Sequence, residues 1–162
     1  MSELQLPRLI SNHMVLQRDK EIHIWGRDLP GHRVMVSFRG EEAVAQTDEK
    51  GNFSLFLQKQ EAGGPFSMLF RDDLGNEEVV GDVYIGEVWF CSGQSNMELP
   101  MSRVKDRFPE DVKDCKNTQI RTFKIRENGV FTAPLAEPES GEWKSVQPVS
   151  YTHLTLPTTP YV

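Results

Sequence analysis

Val34-Met35-Val36-Ser37-Phe38-Arg39-Gly40-Glu41-Glu42-Ala43 and, one turn later, Gly51-Asn52-Phe53-Ser54-Leu55-Phe56-Leu57 decide how the first part of this chain folds. Val34, Val36 and Phe38 recur at a period of two, which puts them on one face of a strand. Arg39-Gly40-Glu41-Glu42 reads as a turn into a second strand, Ala43 to Thr47, and Asp48-Glu49-Lys50-Gly51-Asn52 as the next turn. Phe53, Leu55 and Leu57 then repeat the alternation.

Working outward, Ile22 and Ile24 stand between the Asp19-Lys20 and Leu29-Pro30-Gly31 turns, and Phe66, Met68 and Phe70 follow the Gly63-Gly64-Pro65 break. From Leu6 to about Val80 the chain is a series of short alternating runs separated by turn signals, without a long helical pattern. Each half-apolar strand must bury its face against a second sheet, so residues 4–80 predict an all-β sandwich domain.

The pattern changes near Gly81. Asp82 to Cys91 is a longer apolar stretch whose end, Val88-Trp89-Phe90-Cys91, reads as a parallel strand buried on both faces. A polar, helix-compatible segment from about Asn96 to Lys116 follows, broken by Pro100 and Pro109, and Ile120 to Ile125 reads as another strand. Strand, crossover and strand make a βαβ unit, so residues 81–148 predict the truncated start of an α/β domain. Val130 to Pro148 reads as loop, with Trp143 packed against some other part of the chain. Residues 149–162 lack charge, are rich in Thr, Pro, Tyr and Leu, and read as a non-native tail like translated sequencing-adapter DNA.

The 162 residues are 38% hydrophobic and 26% charged, with mean hydropathy −0.48, the balance of a soluble globular chain. A net charge of −6 and a pI near 5.2 disfavour a nucleic-acid partner, which requires clustered Lys and Arg. No run approaches the roughly 18 apolar residues of a membrane span, and Met1 to Asn12 has no signal-peptide core, so no membrane partner and a cytoplasmic location are expected. Cys91 and Cys115 fit neither a metal motif nor a disulfide scaffold and read as reduced thiols.

Between the apolar stretch and the helical segment stands Ser92-Gly93-Gln94-Ser95-Asn96-Met97-Glu98. Gly93 permits a sharp turn, and Ser95 falls near a helix N-terminus. At the carboxyl end of a parallel strand its hydroxyl would face the ligand crevice and its backbone N–H could hold an oxyanion. The same pattern suits a helix N-cap, which the strand–turn–helix order alone favours. Met97 occupies the place of the second glycine in the G-x-S-x-G elbow, which disfavours the α/β-hydrolase superfamily.

The longer string Gly86-Glu87-Val88-Trp89-Phe90-Cys91-Ser92-Gly93-Gln94-Ser95-Asn96-Met97-Glu98 closely resembles the first block of sialate O-acetylesterases in the SGNH hydrolase superfamily. Leu6-Pro7-Arg8-Leu9-Ile10-Ser11-Asn12-His13-Met14-Val15-Leu16-Gln17-Arg18, with Trp25-Gly26 after it, resembles the start of that family's β-domain. Two separated matches in the expected order favour the nucleophile over the cap. The resemblance implies a β-sandwich followed by a three-layer α/β SGNH-type domain, and a serine esterase acting on an O-acetylated carbohydrate with no metal or organic cofactor. It makes Ser95 the nucleophile and its own backbone N–H the first oxyanion donor, with Gly93, Gln94 and Asn96 completing the motif.

The family's Asp-x-x-His block and its later Gly and Asn oxyanion blocks lie beyond the matching region. None of His13, His23, His32 and His153 has an aspartate three residues before it, so no general base is assigned and the fragment is expected to be inactive alone. A competing reading is a non-catalytic carbohydrate-binding β-sandwich, which requires exposed aromatic rings in a groove. Trp25, Trp89 and Trp143 read instead as packing residues, and Asp111 and Asp114 with Lys113 and Lys116 as a solvated helix face.

Overall fold

A computed structural model describes residues 4–93, 103, 105–107, 109–113, 117–125, 133 and 137–146. The chain divides into two compact units, one of Met1–Val88 with Phe123–Lys144, the other of Trp89–Thr122 with Ser145–Val162.

The first unit carries seven strands: β1 (Val15–Gln17), β2 (Ile22–Arg27), β3 (Arg33–Phe38), β4 (Glu41–Gln46), β5 (Asn52–Leu57), β6 (Gly63–Asp72) and β7 (Glu77–Gly86). Five form one sheet in the order β1-β7-β6-β3-β4, and β2 and β5 form a second. All pairings are antiparallel except that of β1 with β7. Ile22, Ile24, Phe53, Leu55 and Leu57 from the smaller sheet share one core with Val34, Val36, Phe38, Met68, Phe70, Val80, Val83 and Ile85 from the larger. The period-two residues are thus the buried ones, and full burial of each such side chain contributes about 1.5–3 kcal/mol. The β-sandwich is as the alternation predicts.

Arg39 and Gly40 alone turn β3 into β4, with φ of 52° and 85°. Positive φ at both central residues is the backbone twist that matches paired strands. The turn is tighter than the sequence suggests, because Glu41 and Glu42 join the ladder. Glu41 Oε1 accepts the Gln58 amide at 2.9 Å and Glu42 Oε1 accepts the Ser37 hydroxyl at 3.2 Å.

The expectation for the segment after Gly81 is corrected. The change of pattern at Gly81 falls inside β7, whose whole length belongs to the sandwich sheet. Its parallel neighbour is β1, not a strand beyond a helical crossover. Val88-Trp89-Phe90-Cys91 is not a buried strand: Trp89 and Phe90 are 76% and 89% exposed. β7 ends at Gly86, and no described strand flanks the residues after it.

Of the expected helix, the described residues show one short segment, α1 (Pro109–Lys113). β8 (Asn117–Phe123) forms a two-stranded sheet with β9 (Trp143–Val146), which lies within the stretch read as loop. The Trp143 ring meets Phe123 edge-on at 5.4 Å between centroids, and its Nε1 donates to the Leu9 carbonyl at 2.9 Å. These contacts explain why an otherwise polar stretch takes an extended form. The three-layer α/β arrangement is not formed by the described residues.

Candidate functional site

The N-terminal family-matching string runs along β7 and reaches the start of the second at Gly86, Glu87 and Val88. Val15, Leu16 and Gln17 pair in parallel with Tyr84, Ile85 and Gly86. Ahead of the ladder, Asn12 Oδ1 accepts the Gly81 amide at 2.7 Å, the His13 amide donates to the Gly81 carbonyl at 3.1 Å, and the Tyr84 amide donates to the Met14 carbonyl at 3.0 Å. The Asn-His-Met triplet therefore works as a local template for the middle of β7. The Asn12 side chain acts as a backbone mimic where the strand carries the positive-φ residue Asp82.

Past the ladder the seam continues through side chains. The Arg18 amide donates to the Gly86 carbonyl at 2.9 Å, and Gln17 Oε1 accepts the Val88 amide at 2.9 Å. Gln17 Nε2 donates to Glu87 Oε2 at 3.3 Å, and Arg18 Nε lies 3.4 Å from Glu87 Oε1 and 2.7 Å from Asp19 Oδ2. Hydrogen bonding and charge from Asp19, with the charge of Glu87, hold the guanidinium pKa above its ordinary value. Sequence reasoning assigned these side chains no role. The only signal for them was that Gln17, Arg18 and Glu87 sit within the two matching strings.

Of the motif residues, Gly93 lies among the described residues, with a nearly extended φ of 159°. Gln94, Ser95 and Asn96 lie outside them, as do Cys115 and His153. The Cys91 thiol is free and 3.8 Å from the Trp89 carbonyl oxygen.

The other histidines serve the sandwich. His13 Nδ1 is 2.6 Å from Asp82 Oδ2, His23 Nε2 is 2.8 Å from Ser54 Oγ, and His32 Nδ1 is 3.4 Å from Asp73 Oδ1. Trp25 and Trp143 pack partly against the core, as read from the sequence, whereas Trp89 does not. Among the described residues no group of three or more His, Cys, Asp or Glu side chains gathers as a metal site.

No protein-family model matches the chain. It is 31% identical to the sialate O-acetylesterase of Mus musculus over 126 positions, covering 72% of this chain and 23% of that protein. It is 35% identical to the sialate O-acetylesterase of Homo sapiens over 126 positions, covering 72% of this chain and 24% of that one. Among solved structures it resembles a carbohydrate acetylesterase from Xanthomonas citri, with a TM-score of 0.85 and 35% identity, covering 92% of this chain and 34% of that chain. The chain thus spans about a quarter of the length of the curated relatives it matches.

Proposed function

Since the chain belongs to the sialate O-acetylesterase family, we propose that it carries the β-domain and the nucleophile segment of a serine esterase that removes O-acetyl groups from carbohydrates. What supports this reading is the 31–35% identity to sialate O-acetylesterases, together with the resemblance of Ser92-Gly93-Gln94-Ser95-Asn96 to that family's first block. Ser95 Oγ attacks the carbonyl carbon of the acetyl ester while a general base takes its proton. The tetrahedral oxyanion accepts a hydrogen bond from the Ser95 backbone N–H, and Gly93, Gln94 and Asn96 shape the turn around it. Collapse expels the sugar hydroxyl and leaves acetyl-serine, and water attacks that ester to release acetate.

The base and the remaining oxyanion donors come from sequence outside this segment, which also completes the three-layer α/β domain. His13, the one described histidine whose ring is hydrogen-bonded to an aspartate, is given a structural role in the seam.

The alternative of a carbohydrate-binding sandwich is the weaker reading. On the outer face of β2 and β5, His23 stacks on Trp25 at 5.0 Å and 28° and on Phe56 at 4.6 Å and 16°. His23 covers one face of each of the other two rings, which reduces the flat area on which a sugar could stack, although Phe56 remains 57% exposed.

The test is Ser95→Ala in the full-length protein. Acetate release from an O-acetylated sugar, and covalent labelling by a fluorophosphonate, are both expected to disappear at unchanged melting temperature. Turnover kept at a substantial fraction of wild type would return Ser95 to the role of helix cap.

A further inference from the structure

Gln17 is the last residue of β1, yet its side chain reaches beyond the ladder to the two residues that follow β7. The geometry needs both ends of a carboxamide. Oε1 accepts the Val88 amide, while Nε2 donates to Glu87 Oε2 and to the Arg18 carbonyl, each at 3.3 Å. A carboxylate could replace the acceptor but would face the Glu87 carboxylate, and an apolar side chain could replace neither. Arg18 braces the arrangement from the other side, through its amide on Gly86 and its guanidinium beside Glu87. The chain therefore leaves the sandwich sheet with Glu87 and Val88 tied to the other family-matching string. Seven residues after Val88 comes Ser95.

We propose that Gln17 and Glu87 are positioning residues for the esterase reaction, fixing the root of the segment that presents Ser95. This rests on the reading of Ser95 as nucleophile. Neither residue touches substrate; they act through the backbone at Glu87–Val88. Attack on a carbonyl tolerates little misplacement, and an error of about 1 Å can cost about 100-fold. A loosened root lowers the rate of the acylation step while leaving substrate affinity nearly intact. Gln17 is only half-buried, so truncating it removes the clamp without opening a core cavity.

The experiment compares Gln17→Ala, Gln17→Glu and the double variant Gln17→Glu/Glu87→Gln with wild type and Ser95→Ala, all in the full-length protein. It measures kcat and KM on a chromogenic acetyl ester, the rate of fluorophosphonate labelling of Ser95, and thermal stability. Gln17→Ala is expected to lower kcat and the labelling rate by about tenfold or more, with KM within about twofold and little change in melting temperature. Gln17→Glu should lose more, because two carboxylates then face each other. The double variant should regain most of the rate, since the carboxylate at position 17 then accepts from both Val88 and the new amide. Should Gln17→Ala fail to fold, Gln17→Asn, shorter by one methylene, carries the same comparison.

A Ser95-dependent enzyme whose kcat is untouched by Gln17→Ala, or whose double variant shows no rescue, overturns the clamp and leaves the nucleophile standing. Loss of kcat that only follows loss of folded protein also overturns it. Turnover that survives Ser95→Ala removes both.

Discussion

His13 Nδ1 lies 2.6 Å from Asp82 Oδ2, and both residues hold left-handed backbone, with φ of 71° and 56°. Two non-glycine residues in that region meet where Gly81 donates its amide to the Asn12 side chain and accepts the His13 amide, so the kink in each strand is matched by the other. The side chains are 56% and 37% exposed, so water and salt screen the charge. A double-mutant cycle with His13→Ala and Asp82→Ala is expected to give a coupling of about 0.2–1 kcal/mol by urea unfolding, smaller at high salt. Asp82→Val should cost about 1–2 kcal/mol beyond Asp82→Ala, because a β-branched residue fits the left-handed region worst. Equal stability of the two variants would show that the backbone at Asp82 relaxes freely.

Gly51 and Gly40 separate two kinds of glycine requirement. Both have positive φ, 79° and 85°, but a Cβ at Gly51 runs into the Asp28 carbonyl oxygen, whereas one at Gly40 meets open space. Gly40→Ala should therefore cost only the left-handed backbone penalty, about 1–2 kcal/mol. Gly51→Ala must also displace a backbone whose Asp28 amide donates to the Gly51 carbonyl at 2.8 Å, and should cost clearly more. Chemical denaturation of the two variants side by side tests the order, and a reversed order would contradict the tight approach at Asp28.

Asp72 closes the β6–β7 turn. Its Oδ1 accepts the amides of Leu74 and Asn76 at 2.9 and 2.8 Å, and its Oδ2 accepts the Asn76 side-chain amide. Burial acts to raise its pKa, but the bonds from Asn76 and Leu74, aided by the charge of His32, outweigh it and hold the carboxyl below its ordinary value. A folded-state value below the unfolded one means that this stabilisation is full above the ordinary aspartate range. It is lost as pH falls through the depressed folded value. Asp72→Ala should cost about 1–3 kcal/mol at neutral pH, through two amides left without an acceptor. In stability measured from neutral to acid pH, the gap between wild type and Asp72→Asn should narrow on acidification. A gap that widens would give the shift the opposite sign.

The sandwich was legible because its physics is periodic and local. Val34, Val36 and Phe38 announce their burial by spacing, and Arg39-Gly40 announces the turn by residue type. What lay beyond Gly86 was not legible by the same rule. An apolar run such as Val88-Trp89-Phe90 carries no periodicity that separates a buried strand from an exposed one, and only the neighbours decide. Trp143 was read correctly as packed, but its strand was missed because Phe123 and Leu9, the residues that hold it, are remote in sequence. The candidate site divides in the same way. Ser95 is proposed from a contiguous string and lies outside the described residues, while the partnership of Gln17 with Glu87 and Val88 spans about seventy residues and has no one-dimensional signature.

The 162-residue chain on its own is expected to be folded at the sandwich and silent as an esterase. A serine hydroxyl without a positioned base is a weak nucleophile, and loss of one triad member commonly removes about 10⁴-fold in rate. Turnover of a chromogenic acetyl ester should therefore match a Ser95→Ala control of the same chain. Amide exchange should be slowest in β2, β3, β5, β6 and β7, which share the core. The Val88 amide, held by Gln17, should exchange more slowly than those of the exposed Trp89 and Phe90. Phe70→Ala, at a fully buried site, should cost about 3–5 kcal/mol and remove that protection together across the strands. If the chain instead shows turnover that Ser95→Ala abolishes, a base lies within its own residues. His13 on Asp82 is then the first pair to replace, since among the described histidines its ring alone is hydrogen-bonded to an aspartate.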